Sequence, residues 1–234
     1  MLKCINDLSI DMFSFKDECF LSRPLGWLRE FAEWYGNEIK KPFLINTRPE
    51  TINEDIVVLL KKMSPLVQIG IGVESGSQKI LPEVLNRKMS IEKIKEVFVL
   101  LHKHNIRTVV PFMIGLPYET RVDIFKSIEM CRIINPTVLS VNIFQPMPGQ
   151  QLRDICIKEG FITGDEPLHT YQSGTVMNMP QLSSQDIVNM RRTFVLYAKL
   201  PKEYYPEIEK CERDYYGNLS LYKKLVNLRW ELSN

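Results

Sequence analysis

Hydrophobic residues in this chain fall into short dense runs, separated by longer stretches in which they return every third or fourth position. The densest run is Val67-Gln68-Ile69-Gly70-Ile71-Gly72-Val73. It is β-branched and nearly continuous rather than alternating, the pattern of a strand covered on both faces in a parallel sheet. It ends in Glu74 and the small residues Ser75-Gly76-Ser77, which turn the chain toward a helix. A carboxylate at the carboxyl end of such a strand stands where α/β folds place their ligands, so Glu74 is the first candidate contact residue.

The same two periods alternate along the chain. Residues 8–15 read as a strand running out to the acidic tip Asp17-Glu18. Ser22-Arg23-Pro24 opens a helix over 25–39, with Leu28, Phe31, Trp34 and Tyr35 at helical spacing. Residues 43–48 form a second strand, and Thr51 with Glu54 makes a capping box for a helix to about 63. After the Glu74 strand comes a short irregular helix over 77–85, interrupted by Pro82, then a basic turn at Asn86-Arg87-Lys88 and a helix to 103 capped by Ser90. Residues 106–114 form a fourth strand ending in Gly115-Leu116-Pro117-Tyr118-Glu119-Thr120, where Thr120 and Asp123 cap a helix to 134. Pro136 breaks that helix, and 138–144 is a fifth strand ending at Gln145-Pro146-Met147-Pro148-Gly149. Strand and helix in regular alternation, with no extra hairpin, predict a parallel sheet with right-handed crossovers. An α/β barrel, a part of one and a doubly wound sheet all satisfy that pattern.

Beyond about residue 152 the pattern changes. Residues 153–160 are helical, 161–180 lack a sustained period and read as a long loop or lid, and Ser183-Ser184 opens a helix to about 200 with Ile187, Met190, Phe194 and Tyr197 on one face. A tyrosine-rich tail, Tyr204-Tyr205 and Tyr215-Tyr216, leads to a last helix over 220–232. The domain organisation expected is an α/β barrel core over 1–150 and a loop plus helical extension over 151–234.

Composition changes this picture little. In 234 residues, 44% hydrophobic and 25% charged, there is room for one large core or two small ones. A net charge of +2 gives no footprint for nucleic acid or an anionic membrane. No apolar run approaches the roughly 20 residues that span a bilayer. The five cysteines, Cys4, Cys19, Cys131, Cys156 and Cys211, are odd in number and widely scattered, which points to a reducing, cytoplasmic setting.

Five strand ends carry the functional signal together. They are Phe13-Ser14-Phe15-Lys16-Asp17-Glu18, Asn46-Thr47-Arg48-Pro49-Glu50, Gly70-Ile71-Gly72-Val73-Glu74-Ser75-Gly76-Ser77, Pro111-Phe112-Met113-Ile114-Gly115-Leu116-Pro117-Tyr118-Glu119-Thr120, and Pro146-Met147-Pro148-Gly149. In that order they resemble the radical S-adenosylmethionine (radical SAM) enzymes, with the closest similarity to the cobalamin-dependent subgroup, over about residues 8–150. The resemblance implies an α/β fold: a partial (β/α) barrel of TIM type, holding the family's strands two to six. Its open face would bind S-adenosylmethionine against a 4Fe–4S cluster for radical or methyl-transfer chemistry. It further implies that Glu74 contacts the ribose or amino group of S-adenosylmethionine, with Ser75 in the same cofactor-binding set. Arg48 would sit near the carboxylate as a bidentate partner. Ile114 and Gly115 would lie against the adenine, with Gln145 at the rim of that pocket.

The chain also departs from the family. No cysteines have the spacing C-x-x-x-C-x-x-C that holds the cluster. Room is lacking for the family's first strand before Leu8 and for a cobalamin-binding domain. The expectation is therefore an amino-terminally truncated piece, a split gene product or a degenerate remnant, with cluster ligands and any cobalamin domain supplied elsewhere. No metal site and no catalytic residue is assigned within the chain. The missing amino-terminal half or a second copy would cover the exposed sheet edge, and the substrate, small molecule or peptide, stays unnamed. Tyr118 stands where relatives often have glycine.

The plainer readings stand beside these. Glu74 could cap the following helix or pair with a lysine, Arg48 could be an ion-pair partner, and Gly115-Leu116-Pro117 is a turn in any fold. Glu74 and Glu119 are the acid–base candidates of an ordinary barrel lyase or isomerase. His102 and His104, two apart on a helix, cannot share a metal, and His169 lies in the loop. Cys131, Cys156, Met177 and Met179 read as core. A catalytically silent α/β module that binds a nucleotide or a protein partner is the alternative function.

Overall fold

A computed structural model describes residues 10–232. Its five strands are β1 (Phe13–Ser14), β2 (Phe43–Thr47), β3 (Val67–Ile71), β4 (Arg107–Ile114) and β5 (Val138–Ile143), and they lie in the sheet in that same order. β1 with β2, β2 with β3 and β3 with β4 pair in parallel: Phe13 lies opposite Phe43, Ile45 opposite Ile69, and Ile69 opposite Thr108. Neighbours in space are neighbours in sequence, with no point at which the order reverses. That is the winding of a (β/α) barrel, because a doubly wound sheet must switch direction. The fold is a partial TIM-type barrel with helices in its crossovers, followed along the chain by a helical extension.

Five helices follow the early strands: α1 (Leu25–Glu38), α2 (Glu54–Met63), α3 (Ile80–Glu83), α4 (Ile91–Lys103) and α5 (Arg121–Ile134). Four more come after β5: α6 (Gln151–Lys158), α7 (Ser184–Lys199), α8 (Tyr205–Arg213) and α9 (Leu219–Glu231). By packing, the described chain falls into two compact units that interleave along the sequence. One is 10–73, Met89–Pro111 and Ile134–Ser140; the other is Glu74–Lys88, Phe112–Ile133 and 141–232.

The first unit has an aromatic core. Phe20, Tyr35 and Phe43 are buried, and Phe15 packs within ring contact of all three. Strand β2 alternates, burying Phe43, Ile45 and Thr47, whereas β3 buries Ile69, Gly70 and Ile71 in succession, as its continuous apolar run requires. Helices α2 and α4 add Ile56, Leu60, Ile94, Phe98 and Leu101 to this core, each such side chain worth about 1.5–3 kcal/mol of burial. Gly36 lets α1 lie against α2, since a Cβ there would meet the carbonyl of Lys62.

In the second unit, Phe112, Ile114, Ile128 and Ile143 are buried, and α7 adds Ile187, Met190, Phe194 and Tyr197, the four residues whose spacing predicts its apolar face. Polar ties hold the extension. Arg121 forks onto both oxygens of the buried Glu212, which also accepts from the Tyr197 hydroxyl at 2.9 Å. Arg132 donates to the carbonyls of Tyr197 and Leu200 at the end of α7, where a cation offsets the helix dipole.

Three elements differ from the sequence expectation. The strand over 8–15 reduces to Phe13–Ser14 within the described residues, with 8 and 9 outside them. The Phe13 N–H donates to the carbonyl of Pro42, which has no N–H to return, so the ladder stops there. Helix α2 is capped by Asn53, whose side chain accepts from the Ile56 N–H at 3.0 Å, not by the Thr51–Glu54 box. Thr51 spends its hydroxyl on the Arg48 carbonyl and on Thr47, and Glu54 instead bonds His104 and Lys103 of the α4 end. Finally, the tyrosine-rich tail holds a helix, α8, with a proline in its first turn.

Candidate functional site

The chain at the end of β3 carries one residue more than its neighbour. Gly70 pairs with Val109, yet the next bridge joins Glu74 to Phe112, four steps along β3 against three along β4. The extra residue falls beside Pro111, which cannot donate to a ladder, so the mismatch costs no hydrogen bond there. It leaves Glu74 in the left-handed region at φ +67°, a conformation that costs a non-glycine residue about 1–2 kcal/mol. The strain is held by a bond from the Met113 N–H to the Glu74 carbonyl at 2.7 Å. Glu74 is thus displayed from a bulge rather than from the strand itself. Burial raises its carboxyl above the usual range, partly offset by Arg87, whose Nη2 lies 3.5 Å from Oε1. That arginine comes from the basic turn at 86–88, where sequence reading expects a lysine partner at most.

Beyond Glu74 the chain turns against α5. The Ser75 side chain is wholly buried, its hydroxyl accepting from the Ser77 N–H at 3.1 Å and lying 3.4 Å from that of Ser127. The Gly76 N–H donates to Ser127 Oγ at 2.8 Å, and a Cβ at Gly76 would meet the Lys126 carbonyl and stand 2.7 Å from Ser127 Cα. Ser77 Oγ donates to Asp123 Oδ1 at 2.7 Å and accepts weakly from the amides of Lys79 and Ile80, opening α3. Asp123 Oδ2 receives the Thr120 amide and hydroxyl, which is the capping box read from the sequence. Burial alone would raise the Asp123 carboxyl, but bonds from Thr120, Ser77 and Lys126 hold it at about 2.

The turn after β4 is closed by its own residues. Ile114 is buried and its carbonyl accepts from the Phe144 N–H at 2.9 Å. Gly115 has φ +77° and Tyr118 φ +62°, so Tyr118 occupies a conformation that glycine takes without strain. Glu119 folds back so that its Oε2 accepts from the amides of Gly115 at 2.6 Å and Leu116 at 3.2 Å.

Met113 and Phe144, at these strand ends, line a cavity of about 410 Å³ together with Leu85, Gln145, Met147, Gln150, Gln151, Leu152 and Tyr171. That volume lies in the range of small-ligand sites, and the lining has their apolar body with a few polar groups. Gln145 is also a staple. Its Nε2 donates to the Gly174 carbonyl at 2.9 Å and its Oε1 accepts from the His169 N–H at 3.2 Å, tying the 161–180 segment to β5. Sequence reading gives no site role to Met113, Phe144 or Tyr171; Met113 lies within a strand-end motif and Phe144 just before Gln145, while nothing in the sequence marks Tyr171. A larger groove of about 780 Å³ is lined by residues of α1 and α2 alone.

Arg48 belongs to the first compact unit. It is exposed at the end of β2, and its carbonyl accepts from Thr51. The arrangement at β3–β5 therefore joins Glu74, Ser75, Ile114, Gly115 and Gln145 in one unit, with Glu74 as the charged group able to meet a hydroxyl or amine.

Residues 19–131 match the family model of the radical SAM superfamily. That match covers just under half of the chain. Arg48, Glu74, Ser75, Ile114 and Gly115 fall within the matched segment, and Gln145 beyond it. Over 190 residues the chain is 22% identical to tRNA-2-methylthio-N(6)-dimethylallyladenosine synthase of Buchnera aphidicola subsp. Baizongia pistaciae, covering 78% of this chain and 42% of that protein. The backbone is similar to coproporphyrinogen III oxidase from Escherichia coli, a radical SAM enzyme, with a TM-score of 0.60 at 16% identity over 82% of this chain and 42% of that one. It is also similar to TsrM of Kitasatospora setae, a radical S-adenosylmethionine methyltransferase solved with cobalamin and a 4Fe–4S cluster, with a TM-score of 0.52 at 15% identity over 61% and 29%. At these identities the structures establish the fold, the partial barrel of radical SAM enzymes.

A radical SAM domain implies a 4Fe–4S cluster, and the described cysteines do not fit one. Cys131, Cys156 and Cys211 are buried on three different helices, and burial raises their thiols, the first two to about 11. Cys19 lies 3.4 Å from the Thr47 hydroxyl. Among the described residues no three His, Cys, Asp or Glu side chains gather as a metal site, and no helix is long and apolar enough to cross a membrane.

Proposed function

We propose that this chain is the S-adenosylmethionine-binding core of a radical SAM enzyme, suited to radical or methyl-transfer chemistry once a 4Fe–4S cluster is supplied by cysteines outside residues 10–232. The observation that carries this reading is a radical SAM match in which β3 ends on the bulge carboxylate Glu74, in the same compact unit as a strand-end cavity of ligand size lined by Met113, Phe144 and Gln145. In this reading Glu74 accepts hydrogen bonds from the ribose or amino group, and Ile114-Gly115 presents backbone to the adenine. Gln145 fixes the rim, Ser75 holds the Glu74 turn rigid from beneath, and Arg48 meets the ligand carboxylate. A 4Fe–4S cluster held by cysteines outside the described residues would supply the reducing chemistry. The chain's own work is to orient the ligand and keep water from it. Cobalamin enters through the motif resemblance to the cobalamin-dependent subgroup, and the substrate is a small molecule or peptide. A missing amino-terminal half or a second copy would complete the barrel, and a cytoplasmic setting suits the scattered thiols.

The test is calorimetry of S-adenosylmethionine on the chain before and after anaerobic reconstitution with iron and sulfide, with cluster absorbance read alongside. Weak binding that falls about tenfold in Glu74→Ala, the worth of one hydrogen bond to a charged group, is the expected result. A cluster assembling on this chain overturns the assignment of its ligands elsewhere. If neither cluster nor ligand binds, the silent α/β module that takes a nucleotide or protein partner replaces this reading.

A further inference from the structure

Glu119 is a buried carboxyl group with no part in the chemistry above. It is fully enclosed, and its Oε2 already accepts the Gly115 and Leu116 amides. Its Oε1 is buried with no hydrogen-bond partner among the described residues. Among the described residues, no cation acts on it. On α5 the facing charge is Asp123, whose oxygens are taken by Ser77, Lys126 and Thr120, and Arg121 is committed to Glu212. From 181 comes an uncharged amide, Gln181, donating to the Glu119 carbonyl at 3.2 Å. From α7 comes Ile187, which stands against Gly115, and within the turn itself Tyr118 is exposed.

An ion in that position would hold one oxygen bare in an apolar site beside a second carboxylate. A neutral acid is far cheaper there. Burial, joined by the charge of Asp123 and opposed by the two amides, pushes the carboxyl up to about 8.

The geometry points to Glu119 as a neutral-acid clamp: protonated, it stays enclosed with Oε2 on the Gly115 and Leu116 amides, and once the proton is lost the unpartnered, charged Oε1 draws in water, which opens the turn. It is a positioning residue for the strand end. Its bearing on S-adenosylmethionine rests on the reading above, whereas the clamp itself does not. The folded group binds its proton more tightly than the unfolded one, whose ordinary value is 4.5. The stability it contributes is therefore full below that value and is lost as pH rises through about 8.

The experiment follows thermal unfolding and amide exchange of the 112–118 segment, corrected for intrinsic rate, from about pH 6 to about pH 9. It compares the whole chain with Glu119→Gln, which keeps an oxygen acceptor and has no proton to lose. The unmutated chain is expected to lose stability and to gain exchange at Gly115-Leu116 about tenfold or more across that window, while Glu119→Gln stays flat. Parallel profiles overturn the clamp. Should Glu119→Gln fail to fold, isotope-edited infrared on the unmutated chain decides. A protonated glutamic-acid band that titrates away over the same window supports the clamp, and its absence at the acid end overturns it. Failure of S-adenosylmethionine to bind at any pH sinks the functional reading and leaves this one standing.

Discussion

After β3 the chain turns through Ser75-Gly76-Ser77, and after β4 through Gly115-Leu116-Pro117-Tyr118. The first turn is tied to residues 46 and 51 positions away, Asp123 and Ser127. The second is tied to Glu119, three and four positions away. A turn closed by its own residues costs little chain entropy and can form while the rest of the chain is loose. A turn closed across fifty residues must wait for helix α5. Asp123 joins the two, with one oxygen on Ser77 and the other on Thr120, so the locally formed corner presents the group that fixes the distant one.

The two glycines break this comparison most directly. At Gly76 an added methyl runs into backbone, the Lys126 carbonyl and Ser127 Cα, which cannot step aside. Gly76→Ala should cost about 3 kcal/mol or more in denaturant unfolding, the upper range for overpacking. At Gly115 the obstacle is φ +77° together with the Ile187 methyl at 3.0 Å, a side chain able to give a little. Gly115→Ala should cost about 1–2 kcal/mol, and a larger loss there than at Gly76 would reverse the ranking of long-range over local constraint.

Asp123 comes next. Asp123→Asn should lower stability by about 2 kcal/mol near neutrality, because Oδ1 and Oδ2 each lose charge-assisted donors. Its carboxyl sits at about 2 in the fold against an ordinary 3.8. A depressed group stabilises fully above its unfolded value and loses that gain as pH falls through the folded one. The acid limb of the stability curve between those values should therefore flatten in the Asn variant; an unchanged limb would mean that another carboxyl drives it.

The smallest effects sharpen the picture. Thr120→Ala should cost about 1 kcal/mol as an ordinary lost cap. In double-mutant cycles, Ser77→Ala should couple to Asp123→Asn by about 0.5–1 kcal/mol, while Ser77→Ala and Thr120→Ala, which touch different oxygens, should come close to additive.

The same contrast explains what could be read from the sequence. Strand and helix periods, the caps at Ser90, Thr120–Asp123 and Ser183, and the buried face of α7 are short-range patterns, and the structure contains each of them. Cys131, Cys156, Met177 and Met179 lie in the core, as expected. The extra residue before Glu74 left no local trace, because it exists only relative to the register of β4. Asn53 displaced Thr51 as a cap because Thr47 and Arg48 had already claimed the threonine hydroxyl. Helix α8 went unread since its sequence is largely charged, and the glutamate it buries, Glu212, is tolerable only against Arg121 and Tyr197. For the site, position along the strand ends was legible, whereas side-chain allegiance was not: Ser75 bonds inward and Gln145 bonds a loop.

That glutamine does for the sheet what a backbone would do. A primary amide carries the same donor and acceptor as a peptide unit, and Gln145 offers both to the main chain at His169 and Gly174, while the Ile143 amide reaches the carbonyl of Tyr171. The outer edge of β5 is thereby met at its carboxyl end by an irregular segment of its own chain. An edge so met gives a stray strand no ladder to join there, so at that end the partial barrel is shielded from the edge-to-edge association that open sheets invite.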